Sequence, residues 1–305
     1  MDGEKMAKDG KPDHADLNKK NSAGETALII AAKNNKVELV KDLLKKGANV
    51  NQQDNGGHSP LIKATIKNST DVINILLEKG AHINLQDDLG RSALYWASEH
   101  NNIDSVVLLL KNGANINLQA KDGLSPLYKA AIKGNTEVIK VFLKKVPDIN
   151  LQDEFDRSLL HLASGSGNAE TVVLLLENGA DINLQDKQGN TPLHLASRFT
   201  TFDNVKMVDL LLGKGPEIKL NNEGQTPLHR TGNVKITNSL VAYVNLPDSE
   251  KWVRKLMPIT AANLKNGGRR KKRTKKRKRK RKTKRKTKRK TKRKTKRRRR
   301  RKSKK

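Results

Sequence analysis

The sequence predicts an all-α solenoid of about seven stacked helix pairs, and three observations carry the prediction. First, a glycine returns at Gly24, Gly57, Gly90, Gly123, Gly189 and Gly224, with Asp156 in the remaining slot, so that the spacing is 33 residues five times and 35 once. Second, an apolar hexad opened by Ser or Thr follows each of these positions: TALIIA at 26, SPLIKA at 59, SALYWA at 92, SPLYKA at 125, SLLHLA at 158, TPLHLA at 191 and TPLHRT at 226. Third, a second apolar block ending in glycine comes at a fixed offset, as in VELVKDLLKKG at 37–47 and ETVVLLLENG at 170–179.

Each hexad starts a helix, because Ser or Thr accepts a bond from an orphan N–H of the first turn and the following Pro, where present, has the φ of a first helical residue and no donor to lose. In the second block Leu at i, i+3 and i+4 makes one apolar stripe, and the trailing Gly provides the left-handed cap. Between pairs runs a turn-rich strip, ANVNQQDNGG, AHINLQDDLG, ANINLQAKDG or ADINLQDKQG, suited to an extended finger closed by a tight turn. The stretch ADLNKKNSAG at 15–24 matches ADINLQDKQG at 180–189, so residues 1–14 are expected to be a flexible N-terminus and the array, residues 15–246, to open on a finger. Repeat six is irregular, with SRFTTFDN replacing the SGSGNAE of repeat five and a finger, PEIKLNNEG, one residue shorter. Repeat seven keeps its helix start, but its second helix, ITNSLVAYV, is weaker, as befits an end that turns a polar face to water. Residues 247–262 hold DSEKWVRKLM, a predicted capping helix with Trp252, Val253, Leu256 and Met257 on one face and Pro258 as its stop.

The TPLHLA of Thr191–Ala196, the GADIN strip of Gly179–Asn183 and the shared 33-residue frame resemble the ankyrin repeat, over residues 15 to about 246. The resemblance implies an ankyrin-repeat solenoid with β-turn fingers, a monomer with no cofactor, that binds an unidentified protein along the concave strip of finger tips and first helices. It also implies that His161, His194 and His229 bond within and between repeat turns. Leu175, Asp181, Ile182 and Asn183 match the pattern around asparagines hydroxylated in some ankyrin proteins, which makes Asn183 a candidate modification site. An ankyrin array joined to a lysine-rich tail also resembles proteins of large DNA viruses or intracellular pathogens.

The charge of +33 is unevenly spread. From Arg269 to the end, 31 of 37 residues are Lys or Arg, so the rest of the chain is close to neutral. Residues 263–305 are expected to be a disordered basic tail hinged at NLKNGG, since a block of like charge repels itself and has nothing apolar to bury. Such a polycation, with Arg269, Lys272, Arg281, Lys290, Arg297 and Arg301 as representative positions, binds phosphate polymers by counterion release without reading sequence. It also contains overlapping nuclear-import signals for importin, while an acidic protein or membrane surface and an idle expansion are further readings. The tetrad TKRK returns at Thr283, Thr287 and Thr291, threonines whose phosphorylation would weaken the contact. Nuclear or nucleolar localisation is the expectation, with the cytoplasm as the alternative.

Zero cysteines exclude a disulfide framework, Cys-ligated zinc and a thiol nucleophile. The N-terminus has no signal-peptide core and the longest aliphatic run, VVLLL at 106–110, falls far short of the ~20 residues of a membrane span, so secretion is not expected. His161, His194 and His229 sit at one phase of successive repeats, whose helices pack ~8–10 Å apart, too far to share a metal. GSGNAE at 165–170 has phosphate-loop glycines but lies between helices rather than after a strand. Nothing outside the repeat frame looks catalytic, and no enzyme is expected.

Next to the finger glycines stand Leu89, Leu124 and Phe155, apolar where the frame predicts water, flanked by Arg91 and Arg157. Aromatic and Arg side chains are typical interface anchors, so these five residues form the candidate protein-binding patch. Trp96 occupies the hexad slot held by Lys63 and Lys129 in adjacent repeats; simple packing is the expectation there, and flanking by their ammonium groups or aliphatic stems is the alternative. The expected function is a scaffold or adaptor with a nucleic-acid or import tail. The alternative is a substrate adaptor for a ubiquitin ligase acting through residues 247–262, where NLPDSE is faintly similar to the start of F-box-like segments.

Overall fold

A computed structural model describes residues 17–145, 148–198 and 202–244, all as helices, turns and loops apart from one isolated bridge between Gln152 and Ser158. Six helix pairs follow in order: α1 (Ala27–Lys33) and α2 (Val37–Lys45), α3 (Pro60–Ile66) and α4 (Thr70–Glu78), α5 (Ala93–Glu99) and α6 (Ile103–Lys111), α7 (Pro126–Lys133) and α8 (Thr136–Leu143), α9 (Leu159–Gly165) and α10 (Ala169–Glu177), and α11 (Pro192–Ser197) and α12 (Phe202–Leu212). A 3₁₀ turn, Pro227–Arg230, and α13 (Val234–Val244) close the described chain. Residues 1–241 cluster as one compact unit; of the second, 242–305, only the end of α13 is described.

The helix starts follow the capping chemistry. Thr26, Ser59, Ser92 and Ser158 have extended backbone and accept from the amides of Ile29, Ile62, Tyr95 and His161 through their side chains. First helices pack on first helices along the array, and second on second. The close approach has a simple cause: Ala31, Ala64, Ala97, Ala130, Ala163 and Ala196 recur every 33 residues and are all buried at the first-helix contact. The larger core side chains, among them Ile73, Leu76, Leu109, Ile139 and Phe142, fill the space between helix layers.

Polar groups stitch each repeat to the next. Asn51, Asn84, Asn150 and Asn183 each accept, through Oδ1, from the backbone amide of His82, Asn115, Asp181 and Glu217 at 2.7–2.8 Å. Gln53, Gln86, Gln152 and Gln185 donate Nε2 to a carbonyl of the next finger, at 2.9 Å for Gln53 to Gln86 and 3.2 Å for Gln152 to Gln185. Asn102, Asn135 and Asn168, each just before a second helix, donate Nδ2 to two carbonyls at the end of the preceding repeat's first helix, as Asn135 does to Ser98 at 2.6 Å and Glu99 at 3.1 Å. These bonds give helix-end carbonyls, among them those of Ile66, Glu99 and Ile132, a donor from the next repeat.

The histidines complete the seam. The backbone amides of Ser158 and Thr191 donate to Nδ1 of His161 and His194 at 3.1 Å. Nδ1 is therefore the acceptor, and Nε2 carries the proton that it donates at 3.0 Å to Asn190 and Gln225 carbonyls in the following repeat. Burial pushes both imidazoles below their usual range, that of His194 to about 4, despite the bond to the Gln225 carbonyl. GSGNAE spans the end of α9, the connection and the first residues of α10, with Gly167 left-handed at φ 77°.

One expectation is corrected. The seventh hexad makes only a 3₁₀ turn rather than a helix. Thr226 and Asn233, its two capping positions, are three residues closer than Ser92 and Asn102 are in repeat three, and Thr231 replaces the seam alanine with extended backbone at φ −105°. One turn of helix has no room to form. In the finger glycine slot Asp156 adopts φ 58°, the left-handed conformation that Asp tolerates better than most residues.

Candidate functional site

The fingers are built around a buried acid. In Asp54, Asp87, Asp153 and Asp186 the Oδ1 atom accepts from the amides two and four residues on, as Asp87 does from Leu89 at 2.9 Å and Arg91 at 2.8 Å. This Asx turn holds the finger closed. It also leaves the carboxylate next to the side chain four residues on, which differs from repeat to repeat: His58, Arg91, Arg157 and Asn190. Burial alone would raise Asp54, but the Lys63 ammonium at 2.8 Å and the His58 and Gly56 amides outweigh it and hold its carboxyl down to about 2.

In repeat three Arg91 donates Nε to Asp87 at 2.9 Å and lays its guanidinium over the Trp96 ring, 4.0 Å from the centroid. The same carboxylate receives Trp96 Nε1 at 3.0 Å, and His58 Nε2 stands 3.8 Å away. The rings of His58 and His100 flank Trp96 at 5.8 and 5.4 Å. Repeat five repeats the motif with Phe: Arg157 donates Nε to Asp153 at 2.8 Å and lies 4.8 Å from the Phe155 centroid. Between them, Tyr95 donates its hydroxyl to Asp122 at 3.0 Å, and Lys129, 5.5 Å from the Tyr95 ring, shares Glu99 with Lys133. Tyr128 donates to the Leu151 carbonyl at 2.7 Å. Burial raises both phenols, that of Tyr95 with help from the Asp122 charge.

The candidate patch is thus only partly as expected. Leu89 is 54% exposed and Phe155 44%, and Arg91 and Arg157 are half-buried beside them. Leu124 is not on the surface: it is 8% exposed. The cause lies four residues back, where Ala120 replaces the finger acid, so the position that elsewhere answers a carboxylate here packs as an apolar residue. At Trp96 the neighbouring ammonium groups pair elsewhere. Lys63 is drawn to Asp54 and Lys129 to Glu99, and the Trp ring is left to Arg91 and two histidines. The acids Asp87 and Asp153 and the imidazoles of His58 and His100 are the partners that sequence reading missed; aligning the fingers on glycine puts an acid four residues before each arginine, a usable signal.

Asn183 accepts from the Glu217 amide at 2.8 Å, so its side chain is a strut between fingers. The capping segment 247–262, the tail residues Arg269, Lys272, Arg281, Lys290, Arg297 and Arg301, and Thr283, Thr287 and Thr291 lie outside the described residues. Among the described residues no group of three His, Cys, Asp or Glu is placed to hold a metal, and no helix is long and apolar enough to cross a membrane.

A family profile described as ankyrin repeats (3 copies) matches residues 6–87, 94–186 and 160–248, more than half of the chain. Among solved structures, the human ASB11 ankyrin repeat domain is similar at 26% identity and a TM-score of 0.65, over 73% of this chain and 100% of that one. No curated protein matches the sequence.

Proposed function

Because the chain belongs to the ankyrin-repeat family, whose repeats bind protein partners and as a rule serve as non-enzymatic scaffolds, we propose that it is an adaptor that holds a protein on the face made by its fingers and first helices. Its basic tail, from Arg269 on, ties that protein to nucleic acid or carries it into the nucleus. The observation that carries the first half is the row of Leu89, Arg91, Trp96, Phe155 and Arg157, in which exposed apolar side chains and stacked arginines share one face of repeats three and five. Trp and Arg concentrate binding energy because they combine area with directed polar groups. The second half rests on charge: 31 cations in 37 residues release condensed counterions on any phosphate polymer.

Two experiments test these halves separately. Leu89→Asp with Phe155→Asp is expected to abolish capture of partners recovered by the wild type while circular dichroism stays unchanged; full retention of those partners would remove the face from consideration. For the tail, fluorescence anisotropy of duplex DNA and a generic RNA compares the full chain with residues 1–266 across a salt series. Binding by the full chain alone, with a steep salt slope, is the expected result. Equal binding by both forms would place nucleic-acid recognition in the repeats.

A further inference from the structure

The arginine sites of repeats three and five are built alike, and repeat four between them is not. We propose that this face takes an extended acidic segment of a partner protein, with one carboxylate seated on Arg91 and a second on Arg157. The inference rests on the protein-binding reading above and adds the chemistry of the partner.

Each guanidinium is fixed in two ways. Its plane lies against a ring, Trp96 or Phe155, and its Nε is held by a carboxylate, Asp87 or Asp153, whose side chain is 0% or 1% exposed. The arginine side chains themselves remain 21% and 28% exposed. The anion therefore lies beneath and the cation above, and an approaching group meets the cation first. Stacking and ion pairing have already removed most of the rotamer freedom that an arginine loses on binding. The terminal nitrogens of Arg91 make no hydrogen bond among the described residues, and Arg157 turns one of its two toward Asp153 at 2.7 Å. Each site thus keeps an N–H edge that matches a carboxylate. In the repeat between, Lys129 and Lys133 share the carboxylate of Glu99, each at 3.3 Å.

The same face constrains the middle of the segment. Asp122 is exposed on the intervening finger, and Asp88, Glu154 and Asp156 stand at neighbouring tips. A carboxylate opposite repeat four would be repelled, whereas an apolar side chain would find Leu89 and Phe155 on either side. Two repeat steps of ~8–10 Å each correspond to about five or six residues of extended chain at ~3.3 Å per residue. The predicted partner segment has acidic residues five or six apart with none between. The Lys/Arg tail of this chain has the wrong sign for either arginine.

The test selects 12-residue peptides from an unbiased phage-displayed library on the full-length protein, then measures the enriched peptides against full-length Arg91→Lys/Arg157→Lys, checked for folding by thermal melting. Lysine keeps the charge and loses the fork. Enrichment of acidic pairs at the predicted separation, with affinity falling about tenfold or more on the double variant, is the expected result, equivalent to ~1.4 kcal/mol. Acid-rich peptides with no preferred separation, bound equally by the variant, would be ligands of the tail and would overturn the proposal. Peptides lacking acidic pairs but lost on Phe155→Asp would overturn it while leaving the protein-binding reading in place; peptides indifferent to every substitution on the face would remove both. Displacement of the acidic-pair peptides by oligothymidylate, only when the arginines are intact, would identify phosphate as the anion recognised and would also count against a protein segment.

Discussion

The seam between repeats and the row of residues at the finger bases differ in how they vary along the chain, although each is sampled once per repeat. In the seam the same residue returns: alanine from Ala31 to Ala196, asparagine at Asn51, Asn84, Asn150 and Asn183, glutamine at Gln53, Gln86, Gln152 and Gln185. At the finger bases the residue changes every time, through Glu25, His58, Arg91, Leu124, Arg157, Asn190 and Gln225. A seam position must fit an equivalent neighbour on both sides, so one solution propagates. A finger-base side chain answers mainly to the acid four residues before it and to solvent. That freedom is what lets this row acquire a pattern suited to a particular partner.

The comparison can be broken first at the seam. Leu109→Ala removes a fully buried side chain between second helices and is expected to lower unfolding free energy by about 2–5 kcal/mol, read by urea denaturation. Next comes acid. The ordinary imidazole value is 6.5, and His194 in the fold sits at about 4 because it is buried. Between those values the unfolded chain binds the proton and the folded chain does not, so stability falls as pH drops from about 6.5 to about 4, by up to ~3 kcal/mol from this group, and is flat in it below. His161, shifted in the same direction, adds to the slope. His194→Gln should flatten the pH dependence in that window while losing stability at neutral pH; an unchanged slope would mean that the acid loss comes from elsewhere. Asp54, held at about 2 against an ordinary 3.8, stabilises the fold in full above about 3.8, and its share is lost only as pH falls from there toward about 2.

Asn135→Ala is a smaller test of the seam. It leaves the Ser98 and Glu99 carbonyls without their donor and is expected to lose about 1–3 kcal/mol. The smallest effect sharpens the finger side of the comparison. Leu124→Arg alone places a cation opposite Ala120 and should destabilise, whereas Ala120→Asp with Leu124→Arg rebuilds the pair of repeats three and five. A double-mutant cycle is expected to return a favourable coupling of about 0.5–3 kcal/mol, and zero coupling would mean that the pairing rule does not transfer between fingers.

Much of this was legible beforehand, for reasons particular residues make plain. Ser59 followed by Pro60 announces a helix start because capping and fixed φ are local properties, and Gly57 announces the finger turn because its φ of 76° is a local demand. Arg91 and Arg157 could be singled out by position. Their aromatic supports could not: Phe155 is near in sequence, but Trp96 looked like the counterpart of Lys63 and Lys129, and its real neighbours His58 and Arg91 come from two different fingers. Leu124 was misplaced because the vacancy that buries it is an acid missing at position 120.

The sequence by itself determined the period, the helix starts, the finger turns and the separation of a near-neutral body from a cationic tail, since these depend on charge and on groups a few residues apart. Only the tertiary structure decided which side chains are wet, which histidine nitrogen carries the proton, and which ring each arginine lies on. The histidine proton and the buried seam groups depend on bonds between residues 29 to 37 positions apart, where a neighbouring repeat supplies or withholds the partner, and the rings on how Arg91 and Arg157 fold back onto side chains five and two residues away.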